Sequence, residues 1–252
     1  MAPIKKDTPK RNLIYVPAEF TEGKFDVYVD SARIASCPEV REAGKKLRLK
    51  LKNTGKDLLK RKYVVEISQD EIRKIALLLG ASLVPVELVP YFFRLLSQGA
   101  NSKNKVYDGD KNELKPEYCE RIFLDITSIN STCQGEWFED SFSQEKDGLH
   151  GNRKFTLDSN NNLVVGESYL LGPETLMENR FPGISLDSYV EHPTSQGFPK
   201  KDIESGETYY WAPQNGSGAW FFVSGSGAGF CFGAGSGGGQ GIGGRLVFSA
   251  KK

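Results

Sequence analysis

Charge of either sign is missing from one long stretch: no Lys, Arg, Asp or Glu occurs between Gln214 and Gly244. Histidine is scarce. With only His150 and His192, triad or metal chemistry would need them to converge with distant Cys, Asp or Glu, and no spacing indicates this. The cysteines at 37, 119, 133 and 231 form no C-x-x-C pair and no zinc-ligand pattern, so they are expected to be reduced packing thiols. The opening MAPIKKDTPKR lacks the apolar core of a secretory signal, which leads us to expect an intracellular protein. The longest apolar stretch, Ile75 to Phe93, is broken by Gly80, Pro85, Glu87 and Pro90 and falls short of the ~20 apolar residues of a membrane span. A phosphate-binding G-x-x-x-x-G-K-[ST] is absent. Two G-x-G-x-x-G matches, starting at Gly233 and Gly239, lack the following helix and the downstream acid of a dinucleotide site.

Charge is present elsewhere, and unevenly. Residues 1–62 hold sixteen Lys or Arg and eight acids, a balance of +8, whereas residues 63–252 hold seventeen and twenty-four, a balance of −7. A dipolar chain of this kind suits a basic face on an anionic partner, or packing against a copy of itself. Within the basic part, Lys46-Leu-Arg-Leu-Lys-Leu-Lys52 alternates cation and leucine, which predicts a strand with Leu47, Leu49 and Leu51 on one side. Lys46, Arg48, Lys50 and Lys52 on its other side are the candidate face for an anionic partner, including nucleic acid. Phe25–Val29 and Tyr63–Ile67 read as neighbouring strands of a small antiparallel sheet.

Helices are expected in the middle. Ser68-Gln-Asp-Glu71 is a capping box, Ile72, Ile75, Ala76 and Leu79 follow at helical spacing, and Gly80 is a stop. A second helix, from near Pro85 or Pro90 through Leu96 to Gly99, is apolar nearly all round and predicts burial in a core or beneath a partner. The pair has the spacing of a helix-turn-helix at Ala76, Gly80 and Ser82, but offers no polar side chains to a groove. Beyond a polar loop at 100–115, short strands are expected at Ile122–Ile126, Lys154–Leu157, Leu163–Val165 and Thr208–Trp211. Asp158-Ser-Asn-Asn-Asn162 reads as a hairpin turn, and Asp108-Gly-Asp-Lys-Asn112 as a turn that departs from a calcium loop at Glu113 and Cys119. Glu136, Glu139 and Asp140 flank Trp137 and Phe138, which invites an acid-pair reading for glycoside hydrolysis, but they read as a solvated acidic face sooner than as hydrolytic machinery.

The segment from Asn215 to Gly244 has thirteen glycines in thirty residues, interleaved with Trp220, Phe221, Phe222, Phe230 and Phe232. Ordering so much glycine is costly, so these five aromatics are the candidate packing or interface residues, with Arg245-Leu-Val-Phe248 as a final strand. The run 235–248, Gly-Ser-Gly-Gly-Gly-Gln-Gly-Ile-Gly-Gly-Arg-Leu-Val-Phe, resembles the glycine-rich loop and final strand of CRISPR-associated RAMP proteins, which would imply RNA binding. The glycine-aromatic stretch is also similar to receptor-binding tips of phage tail-fibre adhesins.

The fold class expected is α+β and β-rich, with short antiparallel strands, one central helical pair and a Gly-rich C-terminal segment. It divides into a basic β-rich region 1–67, a helical pair 68–100, a β-rich region with long loops 101–213 and a Gly/aromatic segment 214–252. The function expected is that of a structural subunit of a large assembly, in the first place a virion (capsid, tail or decoration protein), with copies of itself and other subunits as partners. The alternative is a nucleic-acid-binding subunit of an RNA-guided complex. No catalytic residue, cofactor or metal ligand is expected, and the location expected is the virion or host cytoplasm.

Overall fold

A computed structural model describes residues 13–33, 38–51, 53–56, 62–65, 67–127, 134–224, 227–235 and 242–250. The chain runs β1 (Leu13–Val16), β2 (Val27–Asp30), α1 (Pro38–Lys46), β3 (Asn53–Lys56), β4 (Lys62–Val65), α2 (Gln69–Leu78) and β5 (Ser82–Leu83). Next come α3 (Val89–Ala100), β6 (Tyr107–Asp108), α4 (Pro116–Thr127), β7 (Gln134–Glu145), β8 (Gly148–Arg153), β9 (Thr156–Leu157) and β10 (Leu163–Val164). Then follow β11 (Glu167–Leu170), β12 (Arg180–Ile184), α5 (Leu186–Glu191), β13 (Thr208–Trp211), β14 (Ser217–Ser224), β15 (Gly227–Gly235), β16 (Ile242–Gly244) and β17 (Leu246–Ser249). The fold is α+β and β-rich.

Two sheets carry the architecture. The smaller, in the order β5-β17-β2-β1-β6, is antiparallel throughout and sets Val247 of the last strand opposite Val29 of β2. The larger runs β11-β8-β7-β14-β15-β13-β12, with β13 parallel to β15 and β16 added parallel to the first half of β7. One apolar core takes residues from Ile14 to Val247, so the four regions of the sequence interleave in space. At its centre lies α3. Its Phe93 meets the rings of Phe221 at 5.8 Å and Phe230 at 6.2 Å on the inner face of the large sheet. Gly99 lets α4 approach, because a Cβ there would stand 2.5 Å from Val106 and 3.0 Å from the Cys119 sulfur.

Local signals explain α2 and α3. Ser68 Oγ accepts from the Glu71 amide at 3.3 Å while the Glu71 carboxylate accepts from the Ser68 amide at 2.9 Å, and Gly80 turns the chain at φ +75°. Pro90 sits in the first turn of α3, where its missing N–H breaks no helical bond, and the helix is buried in the core of its own chain. The hairpin of β9 and β10 is closed by Asp158, whose Oδ1 accepts from the amides of Asn160 and Asn162, both at 2.8 Å. Asp108 does the same for Asp110 and Asn112 at 2.8 and 2.9 Å, so D-x-x-x-N builds the same turn twice.

Two expectations are corrected. Residues 122–126 are not a strand but part of α4: Pro116 opens it, and Cys119, Ile122 and Ile126 are buried at three- and four-residue spacing, which the run of β-branched and aromatic side chains conceals. The segment from Lys46 is not a strand either. Lys46 is the last residue of α1, and the helix closes when Leu49 N bonds Gly44 O at 2.8 Å and Arg48 N bonds Lys45 O at 3.0 Å. This ending needs a left-handed residue, and Arg48 supplies it at φ +57° where glycine is usual, so no sequence signal marks the stop. Leu47, Leu49 and Leu51 still half-bury against the chain while Lys46, Arg48 and Lys50 stay exposed. The in-out pattern is real, but no ladder supports it.

The glycine-rich segment supplies β14 and β15, two central strands of the large sheet. Along β15, Phe230 and Phe232 point into the core, and the alternate positions are Gly229, Cys231 and Gly233. Alternation of large and small side chains about a strand gives the large sheet one aromatic inner face and one outer face with a shallow middle.

Candidate functional site

Strand register places a row of rings across that outer face. Gly229 lies between Tyr209 of β13 and Phe222 of β14, and Cys231 lies between Trp211 and Trp220. Strands on either side of a third are about 10 Å apart, yet Trp211 and Phe222 stand 5.1 Å apart, centroid to centroid. They meet over β15 because its outward side chains are absent or small. The row continues from Phe181 of β12 to Trp211 at 4.8 Å, and from Phe222 through Trp220 to Trp137, each step 5.6 Å.

One end of this row is roofed and the other is open. Trp137 is buried beneath Val40, Ile67, Ile72 and Ile75, from α1, α2 and the residues just before α2, and its Nε1 donates to the Ile67 carbonyl at 3.0 Å. Trp220 packs at the edge of that roof, its Nε1 shut from water with no acceptor. Beyond it Phe222, Trp211 and Tyr209 are half-buried, and Phe181 is 52% exposed. The open rings are tilted by 43–70° to one another.

The roof is fastened by charge. Opposite Ala219, β7 carries Phe138, Glu139 and Asp140, a bulge that frees main-chain groups from the ladder. Gln69 and Arg73, one turn apart on α2, take up its carbonyls: Gln69 Nε2 donates to Phe138 O at 2.7 Å and Asp140 O at 2.8 Å, and the Arg73 guanidinium donates to Glu139 O. The two acids face the other way. Glu139 accepts from the Leu83 amide at 3.0 Å, and Asp140 accepts from the Val86 amide at 2.7 Å and the Tyr169 hydroxyl at 2.6 Å. Burial pushes Glu139 up to about 6 despite the neighbouring Arg73, and burial likewise raises Asp140. Neither acid is solvated, so the expectation of an acidic face is corrected, and both are committed to main-chain donors.

A second buried group ties the large sheet to the small one. Arg245, between β16 and β17, grips Glu136 of β7 through Nε at 2.8 and 3.0 Å and Asp125 of α4 through Nη2 at 2.9 Å. Arg33 reaches the same two acids at 3.2 and 3.4 Å. Burial would lower Arg245, but Glu136 and Asp125 outweigh it and hold it above the usual arginine value. Two cations and two acids balance, the condition under which buried charge is tolerated.

The predicted site residues fall in different places. Of the anionic-partner face, Lys46 pairs with Glu42 at 3.1 Å on α1, Arg48 is in the turn, Lys50 is exposed beyond it, and Lys52 lies outside the described residues. Of the five aromatics, Phe221, Phe230 and Phe232 are in the chain's own core, while Trp220 and Phe222 belong to the outer row. Phe181, Tyr209 and Trp211 were missed. The alternation of Tyr209 and Trp211 about the buried Tyr210 was the available signal, and Phe181 had none. His150 bonds Asp147 at 2.9 Å and Ser168 at 3.1 Å, and His192 ends α5 without sharing either partner. Among the described residues, no helix is long and apolar enough to cross a membrane. No family model, no curated protein and no solved structure matches this chain.

Proposed function

We propose that the chain is a non-catalytic subunit of a larger protein assembly, docking a neighbouring subunit, first of all a second copy, on the open half of the aromatic row. The observation that carries this is Phe181, 52% exposed at the end of a contiguous line of rings. Large aromatics left at a surface are the side chains that dominate protein interfaces, because one rigid ring buries much area at little entropic cost. A virion or the host cytoplasm is the proposed setting.

Two features favour a protein partner over nucleic acid. Bases stack on ring faces, and these rings stand edge to face at 62–70° in three of their contacts. Charge near the row is mixed and not a basic face: Glu207, two residues before Tyr209, is exposed, and Arg180 precedes Phe181. The buried Glu139 and Asp140 support a non-catalytic role, since their carboxylates already hold main-chain amides.

The test is sedimentation and cross-linking of the full chain and of a Phe181→Ser, Trp211→Ser variant, at low and high salt. Association that persists in salt and disappears in the variant is expected. A monomer under all conditions, or retention on heparin that falls steeply with salt, would overturn the proposal.

A further inference from the structure

The large sheet starts on edge strand β11 and finishes on edge strand β12, yet only residues 171–179 separate them in the chain. Leu170 at the end of β11 and Arg180 at the start of β12 line one opening, so the connection brings the two edges of the sheet to a common seam. A cleft of about 740 Å³ occupies the seam. That is the size of a small-molecule site, ~300–1,000 Å³. Leu149, Leu171 and Leu176 line it from the core side. Leu170 and Met177, which also line it, are 45% and 42% exposed. Long aliphatic side chains therefore meet water on both sides of the seam.

One wall is cationic and unsatisfied. Arg180 of β12 donates through Nη2 to the Lys201 carbonyl at 3.3 Å, while its Nε is shut from water and has no acceptor. No carboxylate of the described residues pairs with Arg180 or with Lys201 beside it. On the opposite wall, by contrast, Asp147 is engaged by His150 Nε2 at 2.9 Å. Glu178 is exposed at the rim. The shut Nε is closed to a ligand as well, so a head group would be met by the exposed Nη end, which has no acid beside it and whose planar geometry matches a carboxylate.

We propose that this seam is a binding site for a linear aliphatic carboxylate, its chain on Leu149, Leu170, Leu176 and Met177 and its head group on Arg180. The proposal is independent of the aromatic row, and the two sites can fail separately.

The experiment is calorimetric titration of the full chain with octanoate, decanoate and dodecanoate below micelle formation, with decanol as the uncharged probe. Binding at one site per chain is expected, tightening about fourfold for each added methylene. Arg180→Gln should weaken the carboxylates by about tenfold or more and leave decanol unchanged. Arg180→Lys should recover part of the loss, and Leu170→Asn should weaken all probes. Circular dichroism of each variant separates lost binding from lost fold. Affinity independent of chain length, many weak sites per chain, or equal loss of decanol and decanoate in Arg180→Gln would overturn the proposal.

Discussion

The outer face of the large sheet has two halves made from the same materials and put to different uses. On β14, Trp220 and Phe222 are two residues apart and share a face, yet one abuts the roof of α1 and α2 and the other opens toward Trp211 and Phe181. Side-chain chemistry does not distinguish them. The distinction comes from what arrives from elsewhere: the covered half receives a helix whose Gln69 and Arg73 satisfy the bulge of β7, and an Ile67 carbonyl for Trp137. The open half receives nothing from the described chain. A buried aromatic row thus needs polar partners for the main chain beneath it as much as apolar area above it.

The largest expected effect lies off this row, at the buried charges that tie the large sheet to the small one. Arg245→Met leaves Glu136 and Asp125 buried with Arg33 as their remaining cation, and should cost about 3–5 kcal/mol in denaturant unfolding. A loss under about 1 kcal/mol would mean that these charges are hydrated in solution. A smaller effect sharpens the covered half by pH. Glu139 is raised from 4.5 to about 6, so the folded state holds its proton more tightly than the unfolded one. The stabilisation from that proton is complete below pH ~4.5 and is lost as pH rises through about 6. Relative to Glu139→Gln, the native chain should lose about 2 kcal/mol between pH 4 and 7, read from parallel melts of the two proteins. Identical pH profiles would place Glu139 in water. The smallest effect belongs to the open half: Phe181→Ser should change stability by less than about 0.5 kcal/mol. A clearly larger loss of stability would move Phe181 from a docking surface into the fold's own packing.

Much of the local structure was legible. The Ser68–Glu71 box, Gly80, the all-apolar helix before Gly99 and the Asp158–Asn162 turn each act within a few residues, and each is observed. The strand at Thr208–Trp211 and the final strand, observed as Leu246–Ser249, were legible for the same reason. The aromatic site was half legible. Trp220 and Phe222 stood out against their glycines, but so did Phe221, Phe230 and Phe232, and strand parity could be read only once β14 and β15 were known to be strands. Glycine disfavours a strand in isolation, so the segment did not look like one.

The sequence by itself determined where α2 and α3 lie, where the Asp158 turn closes and which segments are too apolar to face water, because those choices rest on neighbours within one or two turns of chain. Only the tertiary structure decided the rest. Arg48 took the left-handed position because its helix had to end under Leu49 and Leu51. Glu139 and Asp140 became acceptors for amides more than fifty positions away. The glycines of β15 became tolerable because β13 and β14 supply ladder bonds on both sides and rings that close above them. For Glu139 and Asp140 the stabilising partner is distant in the chain, and for Arg48 and β15 it is the packing of whole segments, so no local pattern of residues encodes these outcomes.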